Sequence, residues 1–259
     1  MPEYVLSVSY GKNSLACLGA IKHLGLPLDR IVHAEVWATD TIPADLPPMV
    51  EFKKHADKII KQHYGIEVEH VRADNNYEKQ FYKLRLQKES QLYCIYGFPC
   101  VRGAWCNSKL KTVALDKCKG VDTVSYIGIA CDEPDRFHSL NSKLTSPLVE
   151  AQWSEADCYR WCQDNDLLSP IYTDSARGGC WFCHNQPVGQ LRLLRRNYPD
   201  LWALLLKWDI DSPVSFKPDG HTVHDFDRRF QLEDDGFILP DDPKFRWAWL
   251  EGDLQMKLF

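Results

Sequence analysis

The stretch YVLSVSYGKNSLACLGAIKHLG, Tyr4 to Gly25, decides how the rest of the chain is read. Val5, Leu6 and Val8, interleaved with Ser7 and Ser9, suit a buried strand. Leu15, Leu18, Ile21 and Leu24 then recur at roughly helical spacing, with Asn13 or Ser14 available as N-cap. The hexapeptide Ser9-Tyr10-Gly11-Lys12-Asn13-Ser14 falls where the strand's carboxyl end meets the helix's amino end, and unpaired amides and the helix dipole make such a junction an anion site. Gly11 lets the backbone approach phosphate oxygens, Lys12 supplies a mobile positive charge, and Ser9 and Ser14 offer hydroxyls. The longer loops G-x-x-x-x-G-K-[ST] and G-x-G-x-x-G are absent. A tight turn with incidental polar residues is the plainer reading of the same six positions.

Working outward, RIVHAEVWATDT reads as a second buried strand ending at Asp40-Thr41, and MVEFKKHADKIIKQHYG as a helix closed by Gly65. IEVEHVRAD alternates like a third strand, and NYEKQFYKLRLQKES reads as a helix. NSKLKTVALDKCKG reads as another, capped by Asn107. TVSYIGIACDE is the fourth core strand, and SEADCYRWCQDN a helix capped by Ser154. This alternation up to about residue 170 predicts an α/β fold, a parallel, doubly wound sheet with helices on both faces. Residues 1–175 form that domain. Residues 176–259, rich in tryptophan and arginine and then acidic and irregular, are expected as a mostly helical extension packed on the sheet.

With 44% apolar and 26% charged residues and a net charge of −5, the 259-residue chain gives no global reason to expect nucleic acid or an anionic membrane as partner. No apolar run approaches the roughly 20 residues that span a bilayer. The first residues read as a core strand and not as a signal, so a cytoplasmic location is expected. Ten cysteines are many. Without a secretion signal they are read as reduced thiols, with Cys17, Cys158 and Cys162 in the core and others as metal ligands.

GFPCVRGAWCNSKLK supplies Cys100 and Cys106, and RGGCWFCHNQP supplies Cys180 and Cys183. A lone CxxC serves either a redox pair or half a metal site, and a second pair upstream favours four thiolates around zinc or an iron–sulfur cluster. Arg102, Lys109, Lys111, Arg177, Arg192, Arg195 and Arg196 surround these pairs. They would stabilise thiolates and attract an anion, a solvated helix face being the equal alternative. Trp105 and Trp181 are expected to shield the site, and His184 to donate a proton or cap its loop. In DGHTVHDFDRRF, a polar hairpin is preferred over metal ligation by His221 and His224.

The Ser9–Ser14 hexapeptide resembles the Ser-Gly-Gly-Lys-Asp-Ser signature of the PP-loop ATP pyrophosphatases, the adenine nucleotide alpha-hydrolase superfamily. Tyr10 stands for a glycine and Asn13 for an aspartate that helps organise magnesium. Asp40-Thr41 resembles the superfamily's Asp-Thr-Gly step, with Ile42 in place of glycine. GIACDEPDR resembles a stretch of the phosphoadenosine phosphosulfate (PAPS) reductase-like proteins: Gly128, Ile129, Asp132, Glu133 and Arg136 match, and Ala130 replaces an arginine. The similarity runs from Val5 to about Gln186 with its motifs in the expected order. It implies a Rossmann-like nucleotide-binding domain that takes ATP or another adenine nucleotide, PAPS or adenylylsulfate included, with magnesium. Ser9, Gly11, Lys12, Asn13, Ser14, Asp40, Thr41 and Gly128 would bind it, and Lys12, Ser14 and Arg136 would act in catalysis.

The resemblance to adenylylsulfate reductases and to the phosphorothioation protein DndC, which carries a similar Gly-Cys-Trp-x-Cys, leans the four cysteines toward [4Fe–4S], with zinc as the alternative. The assimilatory reductases use a cysteine in a carboxyl-terminal Glu-Cys-Gly-x-His segment, and no cysteine follows Cys183 here. Adenylation coupled to sulfur transfer is therefore the expected reaction. Sulfite-forming reduction, with Cys131 as a nucleophile, and a non-catalytic nucleotide-binding module are the alternatives. The implied partners are a sulfur donor and an acceptor drawn from small metabolites, transfer RNA and DNA, and a homodimer is allowed.

Overall fold

The structure is a computed structural model. It describes residues 2–86, 92–100, 104–138, 143–174 and 179–251, apart from the side chains at 173, 174 and 251. The elements, in chain order, are β1 (Glu3–Ser7), α1 (Lys12–Leu24), β2 (Arg30–Glu35), α2 (Pro47–Tyr64), β3 (Val68–Arg72), α3 (Tyr77–Phe81), β4 (Leu84–Leu86) and β5 (Tyr93–Ile95). A π-helical stretch (Asn107–Thr112) runs into α4 (Val113–Asp116), followed by β6 (Thr123–Tyr126), α5 (Pro134–His138), β7 (Leu144–Thr145) and α6 (Pro147–Glu150). Helices α7 (Glu155–Asp164), α8 (Ile171–Asp174), α9 (Val188–Asn197), α10 (Pro199–Asp211), α11 (Val223–Asp234) and α12 (Ala248–Glu251) complete the chain. The chain forms two compact units, Met1–Tyr77 with Cys106–Cys180 and Glu78–Trp105 with Trp181–Phe259. Residues 78–105, expected with the first domain, group with the carboxyl-terminal part.

The first unit is built on a five-stranded sheet in the order β3-β2-β1-β6-β7, all pairs parallel. The chain steps outward from β1 to β3, then returns to the other side of β1. Right-handed crossovers put α1 and α2 on one face and the connection through α4, which packs on β2 and β3, on the other. This is the Rossmann-like α/β arrangement, and its direction reverses between β1 and β6. A crevice therefore opens at the carboxyl ends of those two strands.

Helix α1 is buried along Ser14–Ile21, because the sheet covers one side and α6 and α7 the other. Its small residues make this approach feasible. A Cβ on Gly19 would stand 2.4 Å from the Trp161 indole of α7, so the helix keeps a glycine there despite its propensity cost. Helix α7 starts as expected: Ser154 accepts from the Asp157 amide and the Asp157 carboxylate accepts from the Ser154 amide, a full capping box.

Several expectations are corrected. Helix α1 begins at Lys12, with Gly11 as N-cap and no side-chain cap, so neither Asn13 nor Ser14 caps it. The helix expected over NYEKQFYKLRLQKES stops at Phe81. Leu84–Leu86 instead pairs antiparallel with Tyr93–Ile95, and residues 87–91 lie outside the described residues. Asn107 sits inside the π-helical stretch and does not cap it, since Cys106 before it is already helical. The fourth strand ends at Tyr126, and β7, which the sequence reading did not anticipate, extends the sheet.

The second unit is held by aromatic packing. Trp181 stacks on Trp208 at 5.6 Å, and Phe81, Phe98 and Phe216 meet edge to face in series. The acidic segment is ordered into α11, with a Thr222–Asp225 capping box, where a polar hairpin was expected.

Candidate functional site

Strand β1 delivers Ser9 to Ser14 to the switch-point crevice. The Ser14 hydroxyl, buried, accepts from the Ser9 amide and hydroxyl at 3.1 Å each and donates to the Gly11 carbonyl at 2.9 Å. These bonds curl the loop into one turn. The Lys12 amide donates to the Tyr172 hydroxyl at 2.9 Å. The amides of Gly11, Asn13 and Ser14 have no hydrogen-bond partner among the described residues. Three uncapped N–H groups at the start of a helix make a concave donor set.

The left-handed residue of this loop is Tyr10, with φ 58°, at the position where the resemblance expects glycine, whereas Gly11 has an ordinary φ of −80°. Tyr10 holds this backbone because its ring is wholly buried. Its hydroxyl donates to Asp57 and lies 3.2 Å from His70 Nε2. Burial and the Asp57 carboxylate push the phenol far above its usual range. His70 bridges Asp57 at 2.9 Å and Glu35 at 3.0 Å, and these bonds raise it to about 9. His33 beside it is neutral: Nδ1 donates to the Val8 carbonyl at 2.8 Å and Nε2 accepts from Lys53 at 2.8 Å. Burial, then the Lys53 ammonium, lowers it to about 3. Sequence reasoning missed this network. His33, Glu35, Lys53, Asp57 and His70 stand singly at strand and helix positions, and nothing in their spacing marks them as one group.

Across the crevice, Gly128 abuts the start of α1. A Cβ there would fall 2.5 Å from the Ser14 nitrogen, so glycine is required for the approach. Glu133 accepts from the Ala130 amide at 3.2 Å and from Asn13 Nδ2 at 3.2 Å, tying the two loops together. Arg136, on α5, pairs with Glu133 and is well exposed. Lys12 Nζ reaches Asn13 Oδ1 and Glu155 Oε1, both at 2.8 Å.

Asp40 and Thr41 form the tip of a turn in which Ala38 and Thr39 both donate to the Ile42 carbonyl. Asp40 accepts from Asn76 at 2.8 Å. Asp40 lines, and Thr41 adjoins, a small cleft of about 50 Å³ at the carboxyl ends of β2 and β3, walled by Trp37, Asp40, Arg72, Asn76 and Leu110. The structure thus gathers Ser9, Gly11, Lys12, Asn13, Ser14, Gly128 and the Glu133–Arg136 pair, and sets Asp40 at a neighbouring cleft on the same edge.

The cysteines divide. Cys17, Cys158 and Cys162 are buried, and burial raises the last two to about 12. The Cys162 thiol donates to the Lys12 carbonyl at 3.3 Å. Cys106 and Cys180 belong to the first unit, Cys100 and Cys183 to the second, where the Cys100 thiol donates to the Ser215 carbonyl at 2.7 Å. Among the described residues no three His, Cys, Asp or Glu side chains form a metal-holding group.

The surroundings of the CxxC also differ from expectation. Trp181 is core of the second unit, stacked on Trp208. Lys217 donates to the carbonyls of His184 and Gln186, which fixes the turn after Cys183. Arg192 pairs with Glu233 and Asp241, Arg195 with Asp227 and Asp234, and Arg196 with Asp234, so this face is neutralised internally. His221 stacks on Trp247 at 3.9 Å, while His224 bonds Asp209 at 2.6 Å, so the two rings serve separate contacts. Arg102 and Arg177 lie outside the described residues.

The sheet defines a Rossmann-like α/β chain, with a loop of open amides at its switch point. No protein-family profile matches it. It is similar to an uncharacterized protein, MJ0066, of Methanocaldococcus jannaschii, at 24% identity over 222 residues, covering 79% of this chain and 40% of that protein. The chain thus spans well under half the length of this relative. Among the described residues no helix is long and apolar enough to cross a membrane.

Proposed function

We propose that the Ser9–Ser14 loop holds the phosphates of an adenine nucleotide, and that the chain is a PP-loop enzyme, similar to the PAPS reductase-like proteins, that adenylates an acceptor and couples this to sulfur transfer. One observation carries the reading: three unpartnered amides and the Lys12 ammonium belong to one short loop at the switch point of a parallel sheet. An acceptor oxygen attacks the α-phosphorus of ATP, the bond to the bridging oxygen breaks, and pyrophosphate leaves. A sulfur nucleophile from a donor then replaces the adenylate and releases AMP. Lys12 and the loop amides stabilise charge on the phosphate oxygens as it develops. Ser14 shapes the loop, and Arg136 can turn from Glu133 toward the leaving group. Magnesium would accompany the phosphates.

The four-cysteine site rests on the spacing of its cysteines, and its order of occupants, [4Fe–4S] first and zinc second, on the resemblance. Small metabolites, transfer RNA and DNA all stand as acceptor classes. The test is incubation of anaerobically purified protein with ATP, magnesium, sulfide as sulfur donor and candidate acceptors, with AMP and pyrophosphate measured together with iron and zinc content. Equimolar AMP and pyrophosphate support adenylation. Sulfite from PAPS or adenylylsulfate under reducing conditions supports the reductase instead, and binding without any cleavage supports a non-catalytic module.

A further inference from the structure

The Lys12 ammonium already has an anion. Glu155 Oε1 lies 2.8 Å from Lys12 Nζ and 3.4 Å from Asn13 Nδ2. Glu155 is the first residue of α7, fixed there by the Ser154 capping box and by its own amide, which donates to Asp132 at 3.0 Å. Its backbone is therefore anchored while its carboxylate is not: the Glu155 side chain is 51% exposed against 16% for Lys12. The carboxylate can swing into water at the cost of this one pair, whereas the ammonium is held near the loop by Asn13 as well.

A carboxylate oxygen and a phosphate oxygen ask the same of a lysine and an amide: both are anionic acceptors at hydrogen-bond distance. We propose that Glu155 is a built-in stand-in for a phosphate group, occupying the Lys12 and Asn13 donors until a nucleotide displaces it. This rests on the reading of the loop as a phosphate site. Being tethered, the carboxylate competes at high effective concentration. An isolated inorganic phosphate, which gains little beyond the Lys12 contact, is excluded. A polyphosphate that also collects the Gly11, Asn13 and Ser14 amides wins the exchange. Glu155 thereby sets a threshold: every ligand that needs the Lys12 ammonium is weakened by a common factor, and only one that adds the amide contacts binds well in spite of it. The Lys12 contact depresses the Glu155 carboxyl below its usual range, consistent with a charged occupant throughout the neutral range.

Calorimetric titration of the full chain with ATP, inorganic triphosphate and inorganic phosphate tests this. Glu155→Gln should tighten ATP and triphosphate about five-fold, the scale of one partly exposed ion pair. It should tighten phosphate by the same factor, because one displaced carboxylate weakens every ligand that needs Lys12 alike. Glu155→Ala should do the same, and both should keep the wild-type melting profile. In a Lys12→Ala background the gain should vanish. Glu51→Gln, which removes an equal charge from the exposed Lys54 pair on α2, should change nothing. Wild type that binds ATP no more weakly than Glu155→Gln overturns the proposal alone, as does an equal gain from Glu51→Gln. Wild type that binds neither ATP nor triphosphate overturns the phosphate reading and this proposal with it.

Discussion

Tyr10 shows how a bulky residue can hold a position that favours glycine. A left-handed backbone costs an L-residue on the order of 1–2 kcal/mol. Here a wholly buried ring, the edge of His33 at 4.8 Å and a hydroxyl bonded to Asp57 offset it. The network beneath the loop makes the fold pH-sensitive with a definite sign. His70 is raised from 6.5 to about 9, first by Asp57 and then by Glu35, so its contribution is complete below pH 6.5 and is lost as pH rises through about 9. His33 is lowered from 6.5 to about 3, so its contribution is complete above pH 6.5 and is lost as pH falls toward about 3. Urea unfolding free energy should therefore peak near pH 6.5. Asp57→Asn should flatten the alkaline limb between pH 6.5 and 9; an unchanged limb would show that His70 titrates as in the unfolded chain. None of this was legible in the sequence, because single polar residues at β2, β3 and α2 positions carry no periodic signal.

At the level of elements, helix α1 was legible in type because Leu15, Leu18 and Ile21 repeat at helical spacing. Its start was not, because a polar residue beside the first turn is indistinguishable from a cap until its bonds are seen. Ser14 spends its hydroxyl on Ser9 and Gly11, which leaves the amides open. Ser154 was legible because Asp157 three residues later completes the box. The helix read over NYEKQFYKLRLQKES failed at β4, where local helical propensity lost to pairing with Tyr93–Ile95. Gly19 supplies the sharpest test here. Glycine to alanine inside a helix ordinarily stabilises by about 1 kcal/mol. With Trp161 only 2.4 Å from the added carbon, Gly19→Ala should destabilise by about 1–3 kcal/mol in chemical unfolding. A gain in stability would mean that α1 and α7 do not pack this closely.

For the whole molecule, the parallel sheet was legible from strand–helix alternation, whereas the division of the chain was not. A boundary near residue 175 is local in sequence, but the second unit is assembled from two distant segments. Phe81 and Phe98 from the first pack on Trp208 and Phe216 from the second. Gly97, with φ 66°, is hemmed in by Ser212 and Pro213. A chain ended after Cys180 would strip these partners and expose Phe81 and Phe98. It should aggregate or bind a hydrophobic dye strongly; a monomeric, dye-silent truncation would show that residues 78–105 need no such cover. The cysteine pairs were legible as a pattern, but a pattern does not say which compact unit each thiol joins, and here they join two.

The most direct measurement is calorimetric titration of ATP into wild type and Lys12→Ala at matched salt, with folding of both checked by circular dichroism. Saturable binding by wild type, weakened at least about ten-fold in Lys12→Ala, is the expected result, since it removes the loop's own ammonium, which lies beside the Asn13 side chain. Equal affinity in the two proteins, or no binding by wild type, would contradict a nucleotide-phosphate site at Ser9–Ser14.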